Sequence, residues 1–146
     1  PDDGVVHDIT TGGSYEDGLL WVGTYFGLSR YDGARWKGYF DHDSGLASNF
    51  INFTKAQGTA VWLCTDNGVS NFNGQTWVTY RPAAGSGKGE VIITDGDKKR
   101  TLSTGTSMSN NFVWCMDYDE EYIWLATAKG LSRGEASGKL MVRATQ

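Results

Sequence analysis

The feature that most constrains this chain is a pattern written into it three times. Tryptophans at 21, 62 and 124 each sit in a short apolar run, LWVGT, VWLCT and IWLAT. Three places after each stands a threonine (Thr24, Thr65, Thr127), and six places after each a glycine (Gly27, Gly68, Gly130). An apolar residue and a serine follow that glycine, as Leu28 and Ser29, Val69 and Ser70, Leu131 and Ser132. Across residues 20–39 and 61–80 the match continues through Gly33 and Gly74, Trp36 and Trp77, Tyr39 and Tyr80. The first two tryptophans are 41 residues apart. A period near 40 residues, with several short strands in each unit, is how a propeller blade reads in sequence.

The chemistry of one unit is legible. The tryptophan runs are β-branched and aromatic, as a strand covered on both faces requires. Thr-x-x-Gly is a tight turn in which glycine supplies a positive φ. LSRY and VSNF return as alternating strands, and Asp32 with Gly33, then Asn73 with Gly74, make the next hairpin turn. Residues 36–39 and 77–80 form an outer strand. Upstream, 51–54 and 113–116 begin 11 residues before their tryptophans and read as innermost strands. Residues 6–9 take that place in the first unit, with four extra residues in the turn. The expected fold is all-β: three four-stranded antiparallel meanders in one domain spanning 1–146, as blades at 5–40, 49–80 and 111–144. The final strand is expected over 139–142. An insertion at 85–106 interrupts the repeat, with a hairpin at 90–104 turning near Asp95 and Gly96. That hairpin is long enough to serve as an arm onto a neighbouring subunit. Equivalent buried positions are expected for Trp21, Trp62 and Trp124.

Composition narrows the function classes. With 146 residues the chain suits one domain, and 20 Gly with only 2 Pro suit strands joined by tight turns. The net charge is -4, and Lys98, Lys99 and Arg100 form the only basic cluster, which reads as a solvated hairpin tip. No nucleic-acid partner is expected, because that needs a concentrated positive surface. No stretch approaches the roughly 20 apolar residues of a membrane span. There is no signal peptide, and the chain starts at Pro1 without an initiator Met, the expectation for a processed or partial chain. Cys64 and Cys115 are 51 residues apart and match no zinc spacing. Cys64 stands where the other units have Gly23 and Ala126, which points to a buried thiol; a disulfide to Cys115 stays open.

The run apolar-Trp-apolar-x-Thr-x-x-Gly-Leu-Ser-Arg-Tyr-Asp-Gly, with Gly45, Leu46, Ala47, Ser48 and Asn49 after the outer strand, resembles the two-component regulator propeller repeat. The resemblance covers nearly the whole chain. It departs where the third unit replaces Tyr-Asp-Gly with Gly134, Glu135, Ala136, Ser137 and Gly138, and in the long connection from Tyr80 to Asn111. It implies a β-propeller with a non-catalytic sensing role, extracellular or periplasmic, as part of a signalling protein. Catalysis finds no support in the residues themselves. His7 and His42 have no nucleophile at a known spacing, and GSGKG at 85–89 lacks the P-loop pattern.

Binding has more candidates. The turns after the tryptophan strands and the connections between units should gather at one end. There Tyr25, Phe26, Asp66, Asn67, Arg81 and Lys129 suit a carbohydrate or peptide ligand. Asp41, Asp43 and Asn49 place oxygens at loop positions 1, 3 and 9, a candidate calcium site, although the EF-hand Gly and Glu are absent. Acidic residues at 117–121 read as a solvated turn, and the sequon at Asn52 falls inside a strand. Propellers typically close with 4–8 blades, so three need self-association, as a dimer or filament, or further propeller blades. The expected function is a non-catalytic extracytoplasmic interaction module, a self-assembling or ligand-sensing scaffold. The alternatives are a fragment of a receptor's periplasmic sensor domain and, last, a propeller-scaffold enzyme.

Overall fold

The computed structural model describes residues 4–137 and 140–145, with side-chain surroundings as far as Glu135. Three antiparallel sheets contain all of its regular structure. The first holds β1 (Thr10–Glu16), β2 (Leu19–Thr24), β3 (Gly27–Tyr31) and β4 (Trp36–Tyr39), paired in chain order. The second starts with β5 (Ile51–Gln57), β6 (Ala60–Thr65), β7 (Gly68–Phe72) and β8 (Thr76–Pro82). It continues with β9 (Gly89–Asp95) and β10 (Lys98–Thr104), so it has six strands rather than four. The third holds β11 (Val113–Tyr118), β12 (Tyr122–Thr127), β13 (Gly130–Ser137) and β14 (Leu140–Thr145). Lys139, expected in the last strand, lies outside the described residues. Among the described residues the sheets form no closed ring.

The sheets pack face to face in chain order, and strand alternation decides which residues meet. From the first sheet, Trp21, Leu28 and Tyr39 enter a core shared with Ile51, Val61, Leu63, Phe72 and Trp77 of the second. Phe72 and Trp77 stack with ring centroids 4.1 Å apart, and Trp21 meets Phe72 edge-on at 5.9 Å. The opposite face of the second sheet sends Trp62, Cys64, Val69 and Tyr80 into a core with Val113, Met116, Ile123 and Leu125 of the third. β6 is therefore covered on both sides, which is why AVWLCT carries no exposed residue.

Three further expectations are corrected. The innermost strand of the first unit is β1, and residues 6–9 are not in a strand. Thr10 precedes Trp21 by 11 residues, as Ile51 precedes Trp62 and Val113 precedes Trp124, so the turn has no extra residues. The 90–104 hairpin is not a projecting arm, because β9 pairs with β8 from Thr76 opposite Asp95 to Pro82 opposite Gly89. The tryptophans share a register position, opposite Arg30, Asn71 and Arg133, but not an environment. Trp21 and Trp62 are buried, whereas Trp124 is 38% exposed, because among the described residues no sheet packs on that face of the third.

That difference sets a measurable contrast. Trp21→Ala should cost about 3–5 kcal/mol in urea unfolding, the range for emptying a buried aromatic site. Trp124→Ala should cost clearly less. Equal losses at the two positions would contradict the packing described here.

Candidate functional site

The candidate site is the rim where each sheet's Thr-x-x-Gly turn meets the loop entering the sheets. In the turns, Phe26, Asn67 and Lys129 N–H groups donate to Thr24, Thr65 and Thr127 Oγ1 at 2.9, 3.0 and 3.2 Å. Each hydroxyl donates in turn to the carbonyl of Gly27, Gly68 or Gly130, at 2.8–2.9 Å. Those glycines have φ of 112°, 109° and 116°, which side chains resist. A Cβ on Gly27 would also lie 2.8 Å from the Tyr39 carbonyl.

The entering loops are held by a second repeated set. Val6, Ala47 and Ser109 N–H donate to the buried hydroxyls of Ser29, Ser70 and Ser132 at 2.8, 2.9 and 2.8 Å. The carbonyls of Ile9, Phe50 and Phe112 accept from Tyr25, Asp66 and Ala128 N–H. Between sheets, Gly27 N–H donates to the Asn49 carbonyl at 2.9 Å and Gly68 N–H to the Asn111 carbonyl at 2.6 Å.

This scaffold brings several candidate ligand residues together. Tyr25 and Phe26 are exposed; Tyr25 lies 6.3 Å from Phe50, while Phe26 lies 6.0 Å from His7 and 6.4 Å from Phe40, centroid to centroid. Asp66 follows Phe50 along the rim through its backbone bond. Asn67 accepts from Asn111 Nδ2 at 3.3 Å and donates weakly to the Ala47 carbonyl at 3.5 Å. Lys129 is exposed on the third turn. Arg81 is engaged elsewhere, because its Nε donates to Glu90 Oε1 at 2.7 Å across β8 and β9. Phe40, Phe50 and Phe112 escaped the sequence reading. Phe50 and Phe112 each directly precede an innermost strand, as Ile9 does, and aligning that position would have found them.

The calcium candidates close a loop. Asp41 N–H donates to Asn49 Oδ1 at 2.8 Å, and Asn49 N–H donates back to Asp41 Oδ2 at 3.1 Å. Asp43 Oδ1 accepts from Phe40 N–H at 3.1 Å. Among the described residues no three His, Cys, Asp or Glu side chains cluster as metal ligands would. His7 Nδ1 accepts from Ile9 N–H, and His42 stacks on Phe40 with centroids 5.5 Å apart. Cys64 and Cys115 are unbridged. Burial, and then the nearby Cys115, push the Cys64 thiol far above its ordinary range, which makes it a poor nucleophile. Gly23, at the position of Cys64, has no room for more: a Cβ there would collide with Thr54 and sit 2.7 Å from Ile51 Cγ2.

No family model and no curated protein sequence matches the chain. Solved structures similar to the chain include two of the extracellular domain of one B. thetaiotaomicron protein. One gives it as the extracellular domain of a proposed one-component system, with 15% identity and a TM-score of 0.43 over 91% of this chain. The other gives it as the extracellular domain of a proposed hybrid two-component system, with 16% identity and a TM-score of 0.44 over 94% of this chain. The chain spans 28% of the length of each.

The loop bonds give Asp41 a role that needs no ion. Asp41→Ala should lower the melting temperature equally in chelator and in millimolar calcium. A loss confined to the calcium sample would assign the loop to the metal instead.

Proposed function

We infer that the chain is a run of three β-propeller blades and acts as a non-catalytic extracytoplasmic interaction module, binding a carbohydrate or peptide on its loop rim. The observation that carries this reading is the rim itself. Tyr25, Phe26 and Phe50 are exposed large aromatics on backbone pinned by the repeated hydrogen bonds, and the Asp66 N–H donates to the Phe50 carbonyl at 3.3 Å, which places the Asp66–Asn67 turn on the same rim. Rigid aromatics with polar neighbours supply contact area at little cost in conformational entropy, as sugar and peptide sites require. The sheet order and the shared hydrogen-bond pattern support the blade reading, and the resemblance to regulator propeller repeats supports a place outside the cytoplasm. The exposure of Trp124 and Leu131 on the last sheet favours a second reading, a piece of a receptor's periplasmic sensor domain.

Saturation-transfer NMR with short neutral and acidic oligosaccharides, and with unstructured peptides, tests the rim. Binding should be detected for one of these classes, and the Tyr25→Ala/Phe26→Ala double variant should weaken it about tenfold or more, as loss of an aromatic anchor does. Binding unchanged in that variant, or none to any probe, would overturn the reading.

A further inference from the structure

We propose that the outward face of the third sheet docks against the first sheet of a second copy of this chain, head to tail, two copies closing a ring of six sheets. The inference rests on taking the sheets as successive units of one repeat.

The two internal interfaces share one design. Trp21 and Leu28 of the first sheet, and Trp62 and Val69 of the second, occupy equivalent register positions and are buried by the sheet that follows. Trp124 and Leu131 hold those positions in the third sheet, and Leu131 is 57% exposed. The receiving side is equally regular. Val61, Leu63, Phe72 and Trp77 receive the first sheet, and their equivalents in the first sheet itself are Leu20, Val22, Tyr31 and Trp36. All four are only half-buried. Tyr31 and Trp36 stack with centroids 4.8 Å apart, as Phe72 and Trp77 do at 4.1 Å. Trp124 of one copy would meet Tyr31 of the next as Trp21 meets Phe72.

The polar contacts between sheets extend the same way. Gly27 and Gly68 each donate an N–H to the loop entering the next sheet, at Asn49 and Asn111. Gly130 has no counterpart of that bond among the described residues, and Asp8 holds the acceptor position on the first sheet's loop. Thr11 Oγ1 donates to the Ile51 carbonyl at 2.6 Å and Asn52 Nδ2 to the Val113 carbonyl at 2.9 Å. Trp114 stands at the equivalent place in β11, exposed, with an indole N–H to donate to the Thr10 carbonyl. Each face thus offers what the other lacks. A second copy supplies both, and six sheets fall within the range of 4–8 at which propellers close.

Light scattering after size exclusion, at micromolar concentration, reads the outcome on the wild type, Leu131→Glu and Val22→Glu. Wild type should be a dimer and each variant alone a folded monomer by circular dichroism. An equimolar mixture of the variants should regain dimer, because each keeps one intact face. If Val22→Glu does not fold, Tyr15→Glu, at the exposed position equivalent to Ala56 on the same face, replaces it. Cys115 supplies a second readout. It is exposed at the position of Phe53, which packs into the second interface, while Cys64 is buried. Maleimide labelling of Cys115 should slow in the wild-type dimer and, in the mixture, on the Val22→Glu partner alone. A monomeric wild type, a filament, or a Val22→Glu protein that dimerises by itself would each overturn the proposal. A wild type that binds at the rim but stays monomeric removes this inference alone, and a dimeric wild type without rim binding removes only the interaction-module reading.

Discussion

In every sheet a wholly buried serine hydroxyl receives the backbone N–H of the loop that enters the sheet 23 residues earlier. A buried amide needs a partner, and a small hydroxyl supplies one without displacing the packing around it. The same loop accepts an N–H from the preceding sheet's turn, at Asn49 and Asn111. It is therefore a joint between two sheets. Everything from that loop to the Ser of the same unit is held to fixed length, which explains why the repeat is so regular there. Length can vary only beyond the joint, and the insertion falls there, between β8 and the loop holding Ser109. Its hairpin then has a free strand edge beside it, and β9 takes it.

The parts of the fold that were legible are those where backbone chemistry demands a residue type. Thr24, Thr65 and Thr127 recur because their hydroxyls close the turn, and the glycines recur because φ is positive. β1 was illegible because TTGGSYE has almost no apolar content. Its contacts are polar and close instead: Ser14 Oγ accepts from Ala56 N–H at 2.8 Å, and Thr11 reaches the Ile51 carbonyl. Hydrophobic pattern shifted the strand onto residues 6–9, which belong to the joint; the 11-residue spacing to tryptophan carried the correct answer. Trp124 was misjudged for another reason. Burial belongs to the neighbour as much as to the residue, and one unit's sequence does not state whether another sheet follows it.

The candidate site was legible in outline, since turn residues can be placed once the strands are known. Its details were not. Asp and Asn in a loop satisfy backbone amides as readily as they ligate ions, so Asp41, Asp43 and Asn49 fit either chemistry on spacing alone. Arg81 looked available until β9 brought Glu90 alongside it, a contact that depends on the insertion folding back. Phe50 and Phe112 were hidden because an aromatic before a strand reads as part of the strand.

Edges and faces are treated differently in this molecule. β10 ends the widest sheet, and its exposed Lys98, Lys99 and Arg100 make that edge a poor template for another strand. Charge at an edge is a common defence against uncontrolled pairing. The faces at the two ends of the stack present large apolar side chains, Trp124 and Leu131 at one end and Tyr15 with the Tyr31 and Trp36 pair at the other, and Arg133 lies over Trp124 as Arg30 lies over Trp21 in the interior. At the β10 edge strand pairing is thus disfavoured, while the end faces stay open to packing. Face packing between sheets is also what joins its own three units. The surface bars the association that would be least specific and leaves open the one whose geometry the interior already repeats.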